Sequence, residues 1–454
     1  MSTITAISTP DATGGIAVIR ISGDDAIKIA GKVFVPAGKK VVSEMKGYTC
    51  CYGTAYDDGE RIDDCILTVF RRPHSYTGED VAEISCHGGI YVTRRILRTI
   101  LKNGAENAQA GEFTKRAYLN GKIDLTQAEA VMDIISAKGE RELRMAENLR
   151  EGMAFRKAEE CSGKLLKILG DLSAWADYPE EDIPEVRPEN LRCELMEVRK
   201  ELLSLVENYD SGRIIREGVS TAIIGRPNVG KSTLFNCLSG CERSIVTDIA
   251  GTTRDVVEES VKIGDLVLRL SDTAGIRKTN DIIEEIGVNI AEKLLYSSEL
   301  VIAVFDGSEP LTQDDIDLLR KTDSKKTVAV INKSDMGILP EVPEEIAENI
   351  PHIVYLSAKE NSGFDVLRKS VEDIFRINET TFSSPSVANE RQKKCIDSSL
   401  VCIESALSAL ADGEFLDAVN VLIDEAEQYL LSLTGKKVTD AVVDEVFSRF
   451  CVGK

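Results

Sequence analysis

Over the first 121 positions apolar residues come in short runs, Ile4 to Ile7, Ile16 to Ile21, Ile62 to Phe70 and Val81 to Cys86, a spacing that predicts strands. Between them Asp24 to Gly31 and Ile90 to Leu101 carry helical periodicity, and glycine pairs at 14–15 and 88–89 mark turns. The pattern predicts a small α/β domain over residues 1–121. From Asp124 onward glycine and proline thin out, and Leu125, Ala128, Val131, Met132, Ile135, Leu143, Met145, Leu149 and Met153 recur at three and four, predicting long helices. An acidic, proline-punctuated break from Tyr178 to Pro184 interrupts them before Leu191, Leu195, Val198, Leu202 and Leu205 resume the period. Beyond a linker at Ser383-Ser384-Pro385 the same period returns in Ile396, Leu400, Ile403, Leu407 and Leu410, and again from Leu416 to Leu433. The intervening residues 215–378 alternate strand and helix as a doubly wound α/β domain does. Two helical segments, 122–214 and 379–454, flanking an α/β unit are most economically one discontinuous bundle into which that unit is inserted. Their leucines are assigned to packing.

Composition narrows the class. The 454 residues suffice for two to four domains. No apolar run approaches the roughly 20 residues of a membrane span, and Met1-Ser2-Thr3-Ile4 lacks the features of a secretion signal, so the cytoplasm is the expected location and no membrane is expected as a partner. Eleven cysteines without a Cys-x-x-Cys pair indicate free thiols, and with three histidines an imidazole metal site is not expected. A net charge of −21 argues against a general nucleic-acid binder. Residues 1–121, however, carry 15 Lys/Arg against 14 Asp/Glu, leaving open a basic face around Arg71, Arg72, Arg94, Arg95, Arg98, Lys115 and Arg116, with a solvated mixed surface as the plainer reading. Cys86-His87 is a candidate nucleophile pair, against the plainer reading of a buried strand end. Thr77 to Asp80 and Gly111 to Arg116 are polar segments where ligand groups often lie, though polar loops are common.

The strongest chemistry lies in the stretch Gly225-Arg-Pro-Asn-Val-Gly-Lys-Ser-Thr233. It sits between the apolar run Val219 to Ile224 and Leu234-Phe235, where a buried strand turns into a helix, as a phosphate loop requires. Gly225 and Gly230 let backbone N–H groups close on a polyphosphate, Lys231 reaches the outer phosphates, and Ser232 can hold Mg²⁺. Thr252-Thr253-Arg254-Asp255 precedes the run Val256 to Ile263, so Thr253 can add a hydroxyl to Mg²⁺ and sense the γ-phosphate. Asp272-Thr273-Ala274-Gly275 closes the strand Leu266 to Leu270 with a carboxylate for the metal and a glycine amide for the γ-phosphate. Asn332-Lys333-Ser334-Asp335 ends the strand Val328 to Ile331, where Asp335 can accept from N1–H and the exocyclic amine of guanine, a pair of donors adenine lacks. Ser357-Ala358-Lys359 ends the strand Ile353 to Leu356 and buttresses the base. Five elements in order specify GTP and a Ras-like P-loop GTPase domain. After Asp-Thr-Ala-Gly stands Ile276, which cannot orient water, so hydrolysis must recruit another group; Asp281, Glu284 and Glu285 are candidates that spacing does not separate. Arg254 and Arg277 are weak candidates for an arginine finger, and Asn228 could instead help hold a monovalent cation.

These motifs, the tail Phe450-Cys451-Val452-Gly453-Lys454, and the strings at 14–23 (Gly-Gly-Ile-Ala-Val-Ile-Arg-Ile-Ser-Gly), 75–80 (Ser-Tyr-Thr-Gly-Glu-Asp) and 111–130 together resemble the MnmE, or TrmE, family of tRNA-modification GTPases along the whole chain. The resemblance implies a K⁺-dependent GTPase and homodimer. Its N-terminal domain would bind 5-formyl-tetrahydrofolate or a related folate through Arg20, Glu83, Lys122 and Lys454. With an FAD-dependent MnmG-like protein, in a heterotetramer or larger, it would place an aminomethyl or carboxymethylaminomethyl group at C5 of the wobble uridine (U34) of tRNA. The GTP contacts implied are Asn228, Val229, Gly230, Lys231, Ser232 and Thr233; Thr247, Asp248, Ile249, Ala250, Gly251, Thr252 and Thr253; Asp272, Thr273, Ala274 and Gly275; Asn332, Lys333 and Asp335; and Ser357, Ala358 and Lys359. K⁺ would be held by Asn228, Thr247, Ile249 and Thr252 and draw two G domains together, while Glu284 orients the water and Lys231 serves the phosphates. Val452 departs from the family's usual Ile or Leu. Cys451 matches a family cysteine with a proposed catalytic part, against the reading of a buried thiol near a terminus. The alternative, a ribosome-assembly GTPase of the Era or EngA kind acting as an RNA-binding switch, calls for a basic KH-like domain that the acidic C-terminal segment does not offer. A scaffold with a vestigial G domain would require a broken motif, and all five are intact.

Overall fold

The computed structural model describes every residue except 138, 178–185, 208, 242–258, 264–265, 271–297, 323–325, 338–341, 349, 376–386 and 454. The chain divides into two compact units, Met1–Met132 with Leu149–Leu202 and Lys394–Lys454, and Asp133–Asn148 with Leu203–Lys393. The architecture is multidomain, α/β plus α.

The chain opens with β1 (Ile4–Ile7), β2 (Ile16–Ser22), α1 (Ala26–Val33), β3 (Phe34–Pro36), β4 (Thr49–Asp57), β5 (Glu60–Phe70), β6 (Val81–His87), α2 (Ile90–Lys102), β7 (Glu106–Asn107) and α3 (Glu112–Leu119). The strands form one seven-stranded sheet in the order β3-β4-β5-β6-β2-β1-β7. Because successive side chains alternate faces, Ile19, Ile21, Leu67, Val69, Ala82 and Ile84 form one apolar layer with Ile29 and Val33 of α1 and Ile96 and Ile100 of α2. The same alternation puts Arg20 of β2 beside Glu83 of β6, its register partner, among the positions between those core residues. β4 was hidden from the apolar pattern because its inward residues are small, Cys51, Gly53 and Ala55. A Cβ at Gly53 would stand 2.3 Å from the Val35 carbonyl, so β3 closes on it only with glycine there. The polar stretch at 111–116 proves to be the start of α3 rather than a loop, entered through Gly111 at φ +66°.

Next come α4 (Leu125–Ser136), α5 (Glu140–Arg150), α6 (Met153–Asp177), α7 (Pro188–Val206) and α8 (Tyr209–Glu217). The period from Leu125 to Met153 is thus broken twice, and at the second break Gly152 takes φ +71°. Near the C-terminus lie α13 (Glu390–Ala411), α14 (Leu416–Thr434) and α15 (Asp440–Ser448). In the first unit α6 packs along α14, Lys164 of α6 pairs with Glu197 and Glu201 of α7, and Arg199 of α7 pairs with Glu404 of α13. α6 and α7 of the first helical stretch therefore join α13 and α14 of the second in one bundle, whereas most of α5 and all of α8 fall in the second unit. The expected breaks at Tyr178 to Pro184 and Ser383 to Pro385 lie outside the described residues.

Inside this bundle the Glu427 side chain is buried, with Oε1 accepting from Ser162 Oγ at 2.7 Å and no partner for Oε2 among the described residues. Burial pushes its carboxyl above the ordinary range, with Asp424 adding to the rise and Ser162 and Lys436 opposing it. An acid whose pKa is higher folded than unfolded binds more protons in the native state, so stability is greatest below the unfolded value and falls as pH rises through the folded one. Glu427→Gln keeps the acceptor and removes the titration. Thermal melts at pH 5 and pH 7.5 should show a smaller loss of stability with pH in the variant than in the parent.

The second unit carries β8 (Val219–Ile224), α9 (Lys231–Cys241), β9 (Glu259–Ile263), β10 (Leu266–Leu270), β11 (Leu300–Asp306), α10 (Gln313–Lys321), β12 (Thr327–Asn332), α11 (Glu344–Ala347), β13 (Ile353–Tyr355) and α12 (Phe364–Ile374). Among the described residues the sheet order is β13-β12-β11-β8-β10-β9, with only the β9–β10 pair antiparallel. β8 is flanked by β10 on one side and β11 on the other, so the strand order reverses at its carboxyl end, where open α/β sheets bind ligands. β11, buried except at Asp306, and the wholly buried β12 read as nearly continuous apolar runs because strands inside a parallel sheet are covered on both faces.

Candidate functional site

The loop that leaves β8 is shaped by close approaches. A Cβ at Gly225, φ +149°, would meet the Val304 carbonyl at 2.3 Å, and one at Gly230, φ +99°, would meet Asn332 Nδ2 at 2.1 Å. Asn228 stands between them at φ +64°, a left-handed conformation asparagine tolerates better than most residues. Lys231 opens α9 and donates from Nζ to the carbonyls of Gly225 (2.6 Å) and Arg226 (2.7 Å). Burial pushes its ammonium below the ordinary lysine range, and among the described residues no carboxylate pairs with it. A half-buried cation facing only carbonyl oxygens at a helix N-terminus is suited to an anion. Ser232 and Thr233 follow, exposed, in the first turn of α9.

The ends of β12 and β13 close on the same loop. Asn332, almost wholly buried, donates from Nδ2 to the Val229 carbonyl at 2.9 Å and accepts at Oδ1 from the Ala358 N–H at 3.0 Å. Lys333, at φ +61°, turns its ammonium onto Asp306 at the end of β11. Ser334 N donates to the Leu356 carbonyl at 3.1 Å, lacing the two loops together. A side-chain hydrogen bond with Ser357 holds the exposed Asp335 carboxyl below the usual range, helped by Lys359 and Lys333. Asn228 to Thr233, Asn332, Lys333, Asp335 and Ser357 to Lys359 thus gather at the carboxyl ends of β8, β12 and β13. Thr247 to Thr253, Asp272 to Gly275, Ile276, Asp281, Glu284, Glu285, Arg254 and Arg277 lie outside the described residues.

Contacts invisible in the sequence support this cluster. Arg226 Nε lies 2.8 Å from Oδ1 of the buried Asp315, and its Nη2 lies 3.1 Å from Glu309. Asp315 also accepts from Thr312 N at 2.9 Å in a capping box that starts α10, so one carboxylate serves a helix cap and anchors the phosphate loop. The Thr312-x-x-Asp315 spacing was a readable sign of the cap; its link to Arg226 was not. Likewise nothing local marked Cys237 of α9, whose Sγ donates to the Ala358 carbonyl at 2.9 Å.

In the N-terminal sheet Arg20 Nε pairs with Glu83 Oε1 at 2.8 Å, and the guanidinium lies 5.5 Å from the ring centroids of both Tyr76 and Phe113. Lys122 Nζ donates to the Pro73 carbonyl at 3.0 Å, and its Cγ would lie 3.4 Å from a Cβ at Gly78. The 73–78 segment therefore reaches from Arg20 to Lys122. Beneath it Glu79 accepts from Ser22 Oγ at 2.7 Å and from Arg116 Nη1 at 3.2 Å, while Arg116, 4% exposed, also bonds Glu112 (2.8 Å) and the Ser2 carbonyl (2.7 Å). The tail comes to the same domain: Val452 bridges to Ala110, and the Gly453 carbonyl accepts from Ser8 Oγ at 3.1 Å. Gly453 has φ +99°, and a Cβ there would stand 2.3 Å from the Ile7 carbonyl. Lys454 lies outside the described residues.

The remaining candidates resolve plainly. Cys86 is buried at the end of β6 and burial pushes its thiol up, while the His87 Nδ1 lies 2.8 Å from Asp63; this is a strand end, not a nucleophile pair. Cys451 is exposed, which corrects the reading of a buried thiol. Six of the seven arginines and lysines that could have formed a basic face are paired among the described residues: Arg71 with Asp80 (2.9 Å), Arg72 with Asp24 (3.3 Å), Arg94 with Asp11 (2.7 Å), Arg95 with Glu60 (2.7 Å), Lys115 with Asp444 (2.5 Å) and Arg116 with Glu79 (3.2 Å) and Glu112 (2.8 Å). They make a surface of mixed charge. Among the described residues no helix is long and apolar enough to cross a membrane.

Comparison with known proteins accords with both halves of this description. The family model for the MnmE helical domain matches residues 125–451, and that for the GTP-binding protein TrmE N-terminus matches residues 3–122. The tRNA modification GTPase MnmE of Clostridioides difficile (strain 630) is 40% identical over 456 residues, spanning 100% of this chain and 99% of the relative. The proteins of the same name from Acetivibrio thermocellus and Carboxydothermus hydrogenoformans are each 40% identical, again over 100% of this chain and 99% of theirs. The chain belongs to the MnmE family of tRNA modification GTPases.

Proposed function

We propose that this GTP-hydrolysing enzyme of tRNA modification is K⁺-dependent and works as a homodimer. With an FAD-dependent MnmG-like partner, in a heterotetramer or larger, it installs an aminomethyl or carboxymethylaminomethyl group at C5 of the wobble uridine (U34), using a tetrahydrofolate one-carbon donor, in the cytoplasm. Its working parts are residues 1–121 for folate and dimerisation, 122–214 and 379–454 for the helical domain, and 215–378 for the G domain.

The observation that carries this reading is the placement of Lys231, its ammonium held on the Gly225 and Arg226 carbonyls in a loop that Asn332 closes from the far side. When a phosphate chain enters, Lys231 swings from those carbonyls to the outer phosphates, and the N–H groups of the loop close around it. Ser232 offers a hydroxyl to Mg²⁺, joined by Thr253. Asn228, exposed and already in a left-handed turn, offers an amide oxygen to K⁺, joined by Thr247, Ile249 and Thr252. Hard oxygen donors of this kind suit both cations. Held there, Mg²⁺ and K⁺ would supply positive charge against the negative charge that builds on the phosphate chain in the transition state. Glu284 then orients the water, and Thr253 and Gly275 meet the γ-phosphate.

For the folate, Arg20 and Glu83 offer a cation and an anion side by side with the Tyr76 and Phe113 rings close at hand, which suits a flat heterocycle bearing polar edges. Lys122 and Lys454 supply positive charge for a carboxylate tail. GTP turnover by the purified full chain tests the cation step. It should be at least about tenfold faster in K⁺ than in Na⁺ at equal ionic strength, the size expected for one positioned charge in the transition state. Equal turnover in the two salts would count against the reading.

A further inference from the structure

The peptide at Ala358 is gripped from both sides. Its N–H donates to Asn332 Oδ1 at 3.0 Å, and its carbonyl accepts from the Cys237 thiol, with Sγ 2.9 Å away. Asn332 in turn holds the Val229 carbonyl of the phosphate loop at 2.9 Å, and Cys237 belongs to α9, the helix Lys231 opens. Both grips therefore run back to the phosphate-binding element. Ala358 is itself buried, so its carbonyl cannot exchange the thiol for bulk water. Next to it, Ser357 holds the Asp335 carboxylate.

We infer that Cys237 is a positioning residue for guanine recognition: its thiol ties the Ala358 carbonyl to the phosphate-loop helix and thereby fixes Ser357, and through Ser357 the carboxylate of Asp335, at the height of the base. This rests on the reading of Asp335 and the Ser357–Lys359 loop as the guanine site. It places the phosphate and base subsites on one rigid connection, so a change at residue 237, which touches no nucleotide, is felt in discrimination between bases.

The test measures GDP and IDP binding by the full chain carrying Cys237→Ala, Cys237→Val or Cys237→Ser. IDP lacks the exocyclic amine and so uses half of the Asp335 contact. Alanine and valine remove the donor, valine while nearly keeping the volume; serine restores a donor. GDP binding should weaken about threefold to tenfold in the alanine and valine variants, the worth of one neutral hydrogen bond, and the preference for GDP over IDP should narrow with it. Serine should recover most of both. Should Cys237→Ala not fold, Cys237→Val carries the same expectation. Parent-like GDP binding in the donorless variants overturns the inference, as does a serine variant as weak as alanine, or a loss equal for GDP and IDP. Asp335→Asn is run alongside with GDP and XDP. If it leaves base preference unchanged, the guanine-site reading itself fails; if it exchanges GDP for XDP while the Cys237 variants match the parent, only the role of Cys237 fails.

Discussion

Asp335→Asn should exchange the base this GTPase accepts, lowering affinity for GTP by about 100-fold or more while xanthosine triphosphate becomes the preferred ligand. Asp335 stands exposed at the end of β12, and its hydrogen bond with Ser357 keeps the carboxyl below the usual range, so it is an acceptor at any working pH. Guanine offers two donors along one edge, N1–H and the amine at C2, and a carboxylate matches both. Asparagine replaces one acceptor with a donor, which leaves an amine facing an amide N–H. Xanthine, with a carbonyl at C2, suits asparagine and opposes aspartate. Competition binding with GTP, XTP and ATP reads the exchange, and an unchanged order of preference would remove Asp335 from the base site.

The second large effect is expected far from the nucleotide. Arg116→Met should destabilise the N-terminal sheet domain by about 3–5 kcal/mol, because it leaves Glu79 and Glu112 without the cation that satisfies them. The arginine side chain is 5% exposed and the Glu79 side chain 14%, so water does little to replace the lost partner. The Ser2 carbonyl also loses a donor. Arg116→Lys, which keeps the charge but not the fork of donors, should recover only part of the loss. Urea denaturation followed by the near-ultraviolet signal of the domain's tyrosines measures it. A change within about 0.5 kcal/mol, as for an ordinary surface substitution, would show that the network adds nothing net.

This network also explains what the sequence could and could not reveal. β1, β2, β5 and β6 were legible to within two residues, because each carries a run of branched apolar side chains. β4 was not, since Cys51, Gly53 and Ala55 give its inward face no bulk, and α3 was not, since its buried side includes Thr114 and Arg116. The strings at 75–80 and 111–116 looked like separate polar segments; they are two sides of one interlock built on Glu79 and Arg116, whose partners lie 37 residues apart. In the second unit the phosphate loop and the two base motifs were legible because their chemistry is local: glycines where the backbone comes close, a lysine at a helix start, a carboxylate at a strand end. The struts behind them were not. Arg226 reaches Asp315 across 89 positions and Cys237 reaches Ala358 across 121, and only the folded sheet brings such pairs together.

The central claim is that guanine nucleotide turnover at this site drives the modification of tRNA. Nucleoside analysis of tRNA from cells whose only copy of the protein is Asp335→Asn tests it most directly, with abundance and thermal melting of the variant checked in parallel. The account predicts a stable, abundant protein and wobble uridines without the C5 group, since cells hold little xanthosine triphosphate to replace GTP. Fully modified wobble uridines in those cells would contradict it.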